Sequence, residues 1–261
     1  MKTNNSKIVL FVFLFQISNL LTSQTYYEKG CLDFENENYS SAIFQFSKSI
    51  NSGENLAESY MMRAASLCEK KEYLNSLIDV DSSLAIDSTQ YKTYYYKGRI
   101  YLLNGFSSIA LKNLNKAVSI NPVDSKSYNC RATAKMVLND SIGALEDANR
   151  AIRLDSTNSL FYVNRGFIKS NLNRYNEAIL DYNKSLQIKE SQGGFANRGF
   201  AFFKLKQYDK AIEDFNKSLF IIPKDWEILY YRGLSYIAEG KKNEACRDFS
   251  LSAELGGKKA K

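Results

Sequence analysis

Chemistry on a substrate needs side chains that exchange protons, attack carbonyls or hold metals, and this 261-residue chain has no histidine. That removes Ser-His-Asp and Cys-His nucleophile systems, imidazole acid-base catalysis and every metal site needing a His ligand. The four cysteines, Cys31, Cys68, Cys130 and Cys246, stand far apart and never form CxxC, so neither a zinc clip nor a thioredoxin-type redox pair is visible. A phosphate loop is the next candidate, because NRGF occurs at 164–167 and again at 197–200, the second copy just after a Gly-Gly. Gly194 to Gly199 has the first part of the P-loop spacing, but Phe200 stands where the phosphate-binding lysine is needed. Only carboxylate-based hydrolysis remains, as a formal option open to any chain with this many Asp and Glu. With no catalytic constellation, no enzyme, no cofactor and no metal are expected.

The elements that would position a site begin with an address. Lys2 and Lys7 flank the start of a short apolar run, Ile8 to Phe15, followed by a softer stretch to Gln24. A basic start, a short apolar run and small polar residues form a secretory signal, read as residues 1–23, with cleavage near Ser23 or Gln24. The run is short for a bilayer-spanning helix. Those two lysines supply part of the formal net charge of +7, and the remainder is spread out except in a basic tail at 258–261, so no nucleic-acid partner is expected.

Periodicity organises everything after the address. Small residues stand at Gly30, Ala64, Gly98, Ala132, Gly166, Gly199 and Gly233, 34 apart except for one step of 33. A second small column runs in phase through Ala42, Ser76, Ala110, Ala144, Ala178, Ala211 and Ala245. Aromatic residues, ending in Leu229, precede the first column by four positions, and a bulky apolar line, broken only by Ala148, follows the second by four. Seven repeats result, at about 23–56, 57–90, 91–124, 125–158, 159–191, 192–225 and 226–257. Each resolves into two helices with apolar residues at three- and four-residue spacings and a breaker behind each, as Gly105 and Pro122 are in the third. A lone hairpin of this kind cannot bury its apolar faces, so neighbours must stack. The short step falls near 189–194, where Gly193 and Gly194 predict a local kink or hinge between the fifth and sixth repeats.

The pattern of aromatic, small residue, Tyr, Ala, Phe, small residue and Pro in NGFSSIALKNLNKAVSINP and LKQYDKAIEDFNKSLFIIP resembles the tetratricopeptide repeat family over essentially the whole chain beyond the address. Departures are Ser76 for Ala, Ala148 for the bulky residue, and Ser88, Ser156 or Glu190 for the terminal Pro. The resemblance implies an all-α, right-handed superhelical solenoid of seven helix-turn-helix repeats over 24–257, acting as a non-catalytic protein-binding scaffold.

A charge pattern has the same phase. The residue before each first-column position is Lys29, Arg63, Lys97, Arg131, Arg165, Arg198 or Arg232, and sixteen residues later stand Gln45, Asp79, Asn113, Asp147, Asp181, Asp214 and Asp248. Every Arg therefore matches an Asp and every Lys an amide, which predicts an ion pair within each Arg-bearing repeat, since a guanidinium fork suits a carboxylate. Function is then expected on the concave wall that this family lines with its first helices. Columns at i, i+4 and i+7 give an apolar, aromatic-rich groove for a peptide or partner helix, with Tyr95, Asn164, Phe167, Asn197, Phe200, Phe203 and Tyr230 as its candidate residues. The family's carboxylate clamp is not matched, because Tyr27 and Cys31 stand where its first Lys and Asn belong. The sequence thus reads as an exported bacterial scaffold, periplasmic or envelope-associated or else secreted, with end-to-end self-association through its last helix. The rival reading is an adaptor for a glycan or lipid on the same wall.

Overall fold

The computed structural model describes residues 24–256, so the signal segment read at 1–23 and the basic tail at 258–261 lie outside the described residues. Among the described residues every regular element is an α-helix, and fourteen of them form seven helix-turn-helix pairs. The pairs are α1 (Tyr26–Glu35) with α2 (Tyr39–Ser52), α3 (Leu56–Glu69) with α4 (Tyr73–Ile86), and α5 (Tyr91–Leu103) with α6 (Ser107–Ile120). Then come α7 (Ser125–Val137) with α8 (Ser141–Leu154), α9 (Ser159–Asn171) with α10 (Tyr175–Ile188), α11 (Gln192–Lys204) with α12 (Tyr208–Ile221), and α13 (Trp226–Ala238) with α14 (Lys242–Glu254). The chain divides into two compact bodies, one ending at Asn121 and one beginning at Pro122.

Each pair turns on one residue with left-handed backbone, at Glu37, Lys71, Gly105, Asn139, Asn173, Lys206 and Gly240, in step with the repeat. Gly and Asn enter that region readily, whereas Glu37, Lys71 and Lys206 carry a Cβ into it at some cost. After the turn, helix faces close on the small column. A Cβ added to Gly166 would stand 2.6 Å from the Tyr182 ring, and one added to Gly199 would stand 2.8 Å from the Phe215 ring. Volume is traded across this contact: Gly faces Phe46, Leu114, Tyr182, Phe215 or Phe249, whereas Ala64 clusters with Val80 and Ala132 with Ala148. Ala148 is thus matched to the larger Ala132, and both are fully buried.

The chain re-enters each first helix of the C-terminal body through a capping side chain. Asp124, Asn158, Ser191 and Asp225 each accept a backbone N–H in the first turn. The short step at the fifth repeat comes out of the linker, which is three residues long between Ile188 and Gln192 where its counterparts after Leu154 and Ile221 have four. Gly193 and Gly194 lie inside the first turn of α11, and Leu186 fills the space where a Gly194 side chain would be, with 2.8 Å to an added Cβ. Leu186 thus packs closely on Gly194 at this junction.

Candidate functional site

Two sets of polar residues stand out, and their geometry separates their roles. The first is the Arg column. Arg63, Arg131, Arg198 and Arg232 each donate from Nε and Nη2 to the two carboxylate oxygens of Asp79, Asp147, Asp214 and Asp248, all at 2.7 Å. Arg165 does the same to Asp181 at 2.9 and 2.5 Å. The carboxylates are buried, and the hydrogen bonds that Arg63 and Arg198 donate to Asp79 and Asp214 hold these guanidinium groups above their ordinary range. The aromatic column backs the same cations: Arg131 lies 5.2 Å from the centre of the Tyr128 ring and Arg165 lies 5.6 Å from that of Tyr162.

The third nitrogen reaches further. Nη1 of Arg63, Arg165, Arg198 and Arg232 donates to Ser47, Asn149, Asn183 and Asn216, each on the second helix of the preceding repeat. One guanidinium thus ties three helices. The junction with the short linker keeps this bridge at 2.7 Å, with the spacing reduced to fifteen residues. Where the column carries Lys97, the ammonium bonds Asp81 of the preceding repeat at 2.6 Å, while Asn113 donates to Ile109 O on its own helix. With its hydrogen-bonding capacity used inside the fold, the Arg column offers little to a ligand.

The second set faces outward in the C-terminal body. The first helices α9, α11 and α13 line a cleft of about 590 Å³. Its apolar wall is Phe167, Phe200, Ala201, Tyr182 and Tyr231, and its polar groups include Asn171, Asn197, Lys204 and Glu227. Phe167 is 41% exposed, whereas Phe200 is held edge-on by Tyr231 and Phe215, with ring centres at 4.6 and 5.4 Å. Burial pushes the phenol of Tyr182 up to about 12, and its hydroxyl lies 3.1 Å from Ser170 Oγ.

The sequence-selected groove residues separate accordingly. Phe167, Asn197 and Phe200 come together in the cleft. Asn164 Nδ2 instead donates to Asn129 Oδ1 across repeats, Phe203 packs on Tyr208 and Tyr231, and Tyr230 packs on Tyr231 and Phe249. Tyr95 belongs to the N-terminal body, in edge contact with Tyr96. The i, i+4, i+7 columns did not select Lys204, Glu227, Asn171 or Tyr231. The exposed face is i, i+3, i+7 from Asn197, rotated by one residue from the column through Ala196, which is buried.

No group of three residues suited to a metal ion occurs among the described residues, and none of their four cysteines is in a disulfide. Cys68 and Cys130 are buried, Cys31 is half-buried, and Cys246 is exposed on α14.

By sequence, tetratricopeptide repeat family models match residues 160–192 and 194–225, the fifth and sixth repeats. These two repeats are tetratricopeptide repeats, and the seven helix pairs are all of that form. A tetratricopeptide repeat protein from Parabacteroides merdae ATCC 43184 is similar in structure, with 16% identity, 90% of this chain and 93% of that one covered, and a TM-score of 0.65. Pseudomonas aeruginosa pilF follows the same path at 12% identity, over 77% of this chain and 92% of its own, with a TM-score of 0.69. YrrB, described as a tetratricopeptide repeat protein with an unusual peptide-binding site, shares 22% identity over 70% and 95% of the two chains, with a TM-score of 0.52. At these identities the likeness is one of fold. No curated protein matches the sequence. Tetratricopeptide repeat scaffolds generally serve protein-protein interaction and are typically non-catalytic.

Proposed function

We propose that this tetratricopeptide repeat protein is a scaffold that grips a peptide or partner helix in the cleft lined by α9, α11 and α13. The observation that carries the reading is an exposed Phe167 beside Asn197, whose side-chain amide makes no hydrogen bond among the described residues. An apolar anchor next to an unengaged amide suits a chain that brings both an apolar side chain and backbone groups. The peptide-binding site named for YrrB supports the same class of ligand. The test uses peptides selected by display on the full chain. Their affinity is expected to fall about tenfold or more in Phe167→Glu and to hold in Leu180→Glu, a change on the exposed outer side of α10. Phe200→Glu is the wrong probe, because it would break the Phe215 and Tyr231 contacts. Equal binding by wild type and Phe167→Glu overturns the reading.

On the pattern of the N-terminal segment we also propose export to the periplasm or envelope. Cell fractionation with the mass of the mature chain tests it, and an intact N-terminus in the cytoplasm contradicts it.

A further inference from the structure

The cleft has a charge at each end, and the two ends differ in sign. Lys204 lies at the last residue of α11 and Glu227 in the first turn of α13. Both line the cleft, both are exposed, and neither side chain has a hydrogen bond or ion pair among the described residues. Such pairing is otherwise common on this surface, as between Arg174 and Glu177 or Lys217 and Glu213.

Their separation follows from the contacts between the helices. Phe200 touches Tyr231 and Gln192 bonds Asp225, which fixes the register of α11 against α13 to within two residues. Lys204 is one turn beyond Phe200 along α11, and Glu227 is one turn before Tyr231 along α13. The first helices run parallel, as the bond from Gln192 at the start of α11 to Asp225 at the start of α13 requires. At 1.5 Å per residue, these contacts put the two charges about 12 to 15 Å apart along the helix axes. An extended chain rises about 3.3 Å per residue, so side chains four positions apart span that distance. The middle position of such a segment then falls near Phe200 and Tyr231, which touch across α11 and α13.

We infer that the cleft recognises an extended peptide carrying a basic and an acidic side chain four residues apart with an apolar residue midway, the acidic one on Lys204 and the basic one on Glu227. This rests on the peptide-binding reading of the cleft and adds to it the charge pattern of the occupant. Opposite charges at the two ends also fix the direction in which the segment lies, which an apolar wall alone does not do.

The experiment measures binding of four end-blocked pentapeptides to the full chain by fluorescence anisotropy: Lys-Ala-Phe-Ala-Glu, Lys-Ala-Phe-Ala-Lys, Glu-Ala-Phe-Ala-Glu and the neutral Gln-Ala-Phe-Ala-Gln. The mixed-charge peptide is expected to bind about fivefold or more tightly than either single-sign peptide, a preference that salt reduces. Lys204→Glu should shift the preference to Lys-Ala-Phe-Ala-Lys, and Glu227→Lys should shift it to Glu-Ala-Phe-Ala-Glu. The double exchange, Lys204→Glu with Glu227→Lys, should restore the mixed-charge preference. Equal affinities for all four peptides, lost together in Phe167→Glu, overturn the charge pattern and leave the peptide cleft standing. Binding of none of them overturns the charge pattern, and the display-selected peptides then decide the cleft separately.

Discussion

Arg198 and Asp214 face each other across α11 and α12 through two parallel hydrogen bonds of 2.7 Å, and among the described residues no lysine shares the carboxylate. Arg165 and Asp181 form the same pair, but Lys169 Nζ also lies 2.8 Å from Asp181. Removing one partner of a buried pair leaves the other charge uncompensated, so Arg198→Ala is expected to cost about 3 kcal/mol. Arg165→Ala should cost about half as much, because Lys169 stays beside the carboxylate. Urea unfolding of the two variants checks the difference, and equal losses would show that the lysine does not compensate.

The contact of Gly166 with Tyr182 makes volume at that position a matched quantity. Gly166→Ala drives a methyl into the ring and should cost about 2 kcal/mol. Tyr182→Val should also destabilise, by about 3 kcal/mol, through the cavity it leaves. Together they recreate the pairing of Ala64 with Val80 in the second repeat. The double variant should therefore lose at least about 1 kcal/mol less than the sum of the single losses. Strict additivity in a double-mutant cycle would contradict the volume trade.

Lys206 holds a left-handed backbone with φ of 59° at the turn between α11 and α12. Gly105 and Gly240 occupy the same turn position without that cost. Lys206→Gly should relieve the strain of about 1 kcal/mol while giving back part of it as unfolded-chain entropy. A small rise in Tm is the expected result, and a fall would show that the lysine side chain has a stabilising contact.

Alkaline pH should weaken the fold through Tyr182. Its phenol is raised to about 12 by burial, above the value of about 10 for an exposed tyrosine. The unfolded chain therefore releases its proton first, and stability present below pH 10 is lost as the pH rises toward 12. Between pH 9 and 11 the loss from this group is roughly 1.4 kcal/mol. Tyr182→Phe should lose less than wild type over the same interval in parallel urea titrations, whereas identical slopes would assign the alkaline loss elsewhere.

The fold was legible because the repeat keeps its phase: small column, bulky column and turn residue recur at one spacing. The Arg-Asp pairing could be read for the same reason, since both columns share a fixed offset within a repeat. The bridge from Arg165 to Asn149 was harder to find, because it joins columns in different repeats and its acceptor varies among Ser, Asn and, opposite Lys97, Asp. The cleft was read in part: Phe167, Asn197 and Phe200 were selected and line it, whereas Lys204, Glu227 and Tyr231 were not selected. Apolarity also selected the column through Ala196 and Tyr230, which turns toward neighbouring helices, while the open face carries charged residues such as Lys204 and Glu227. In a stacked array a first helix is apolar on both its buried flanks, so a hydrophobic stripe does not by itself mark the open side.

The central claim is that the cleft of α9, α11 and α13 takes a peptide, and photo-crosslinking tests it most directly. A benzophenone at the apolar position of a bound peptide, irradiated with the full chain and mapped by mass spectrometry, should attach to Phe167, Phe200 or Tyr231. Attachment confined to the outer helices α12 and α14, or to the N-terminal body, would contradict it.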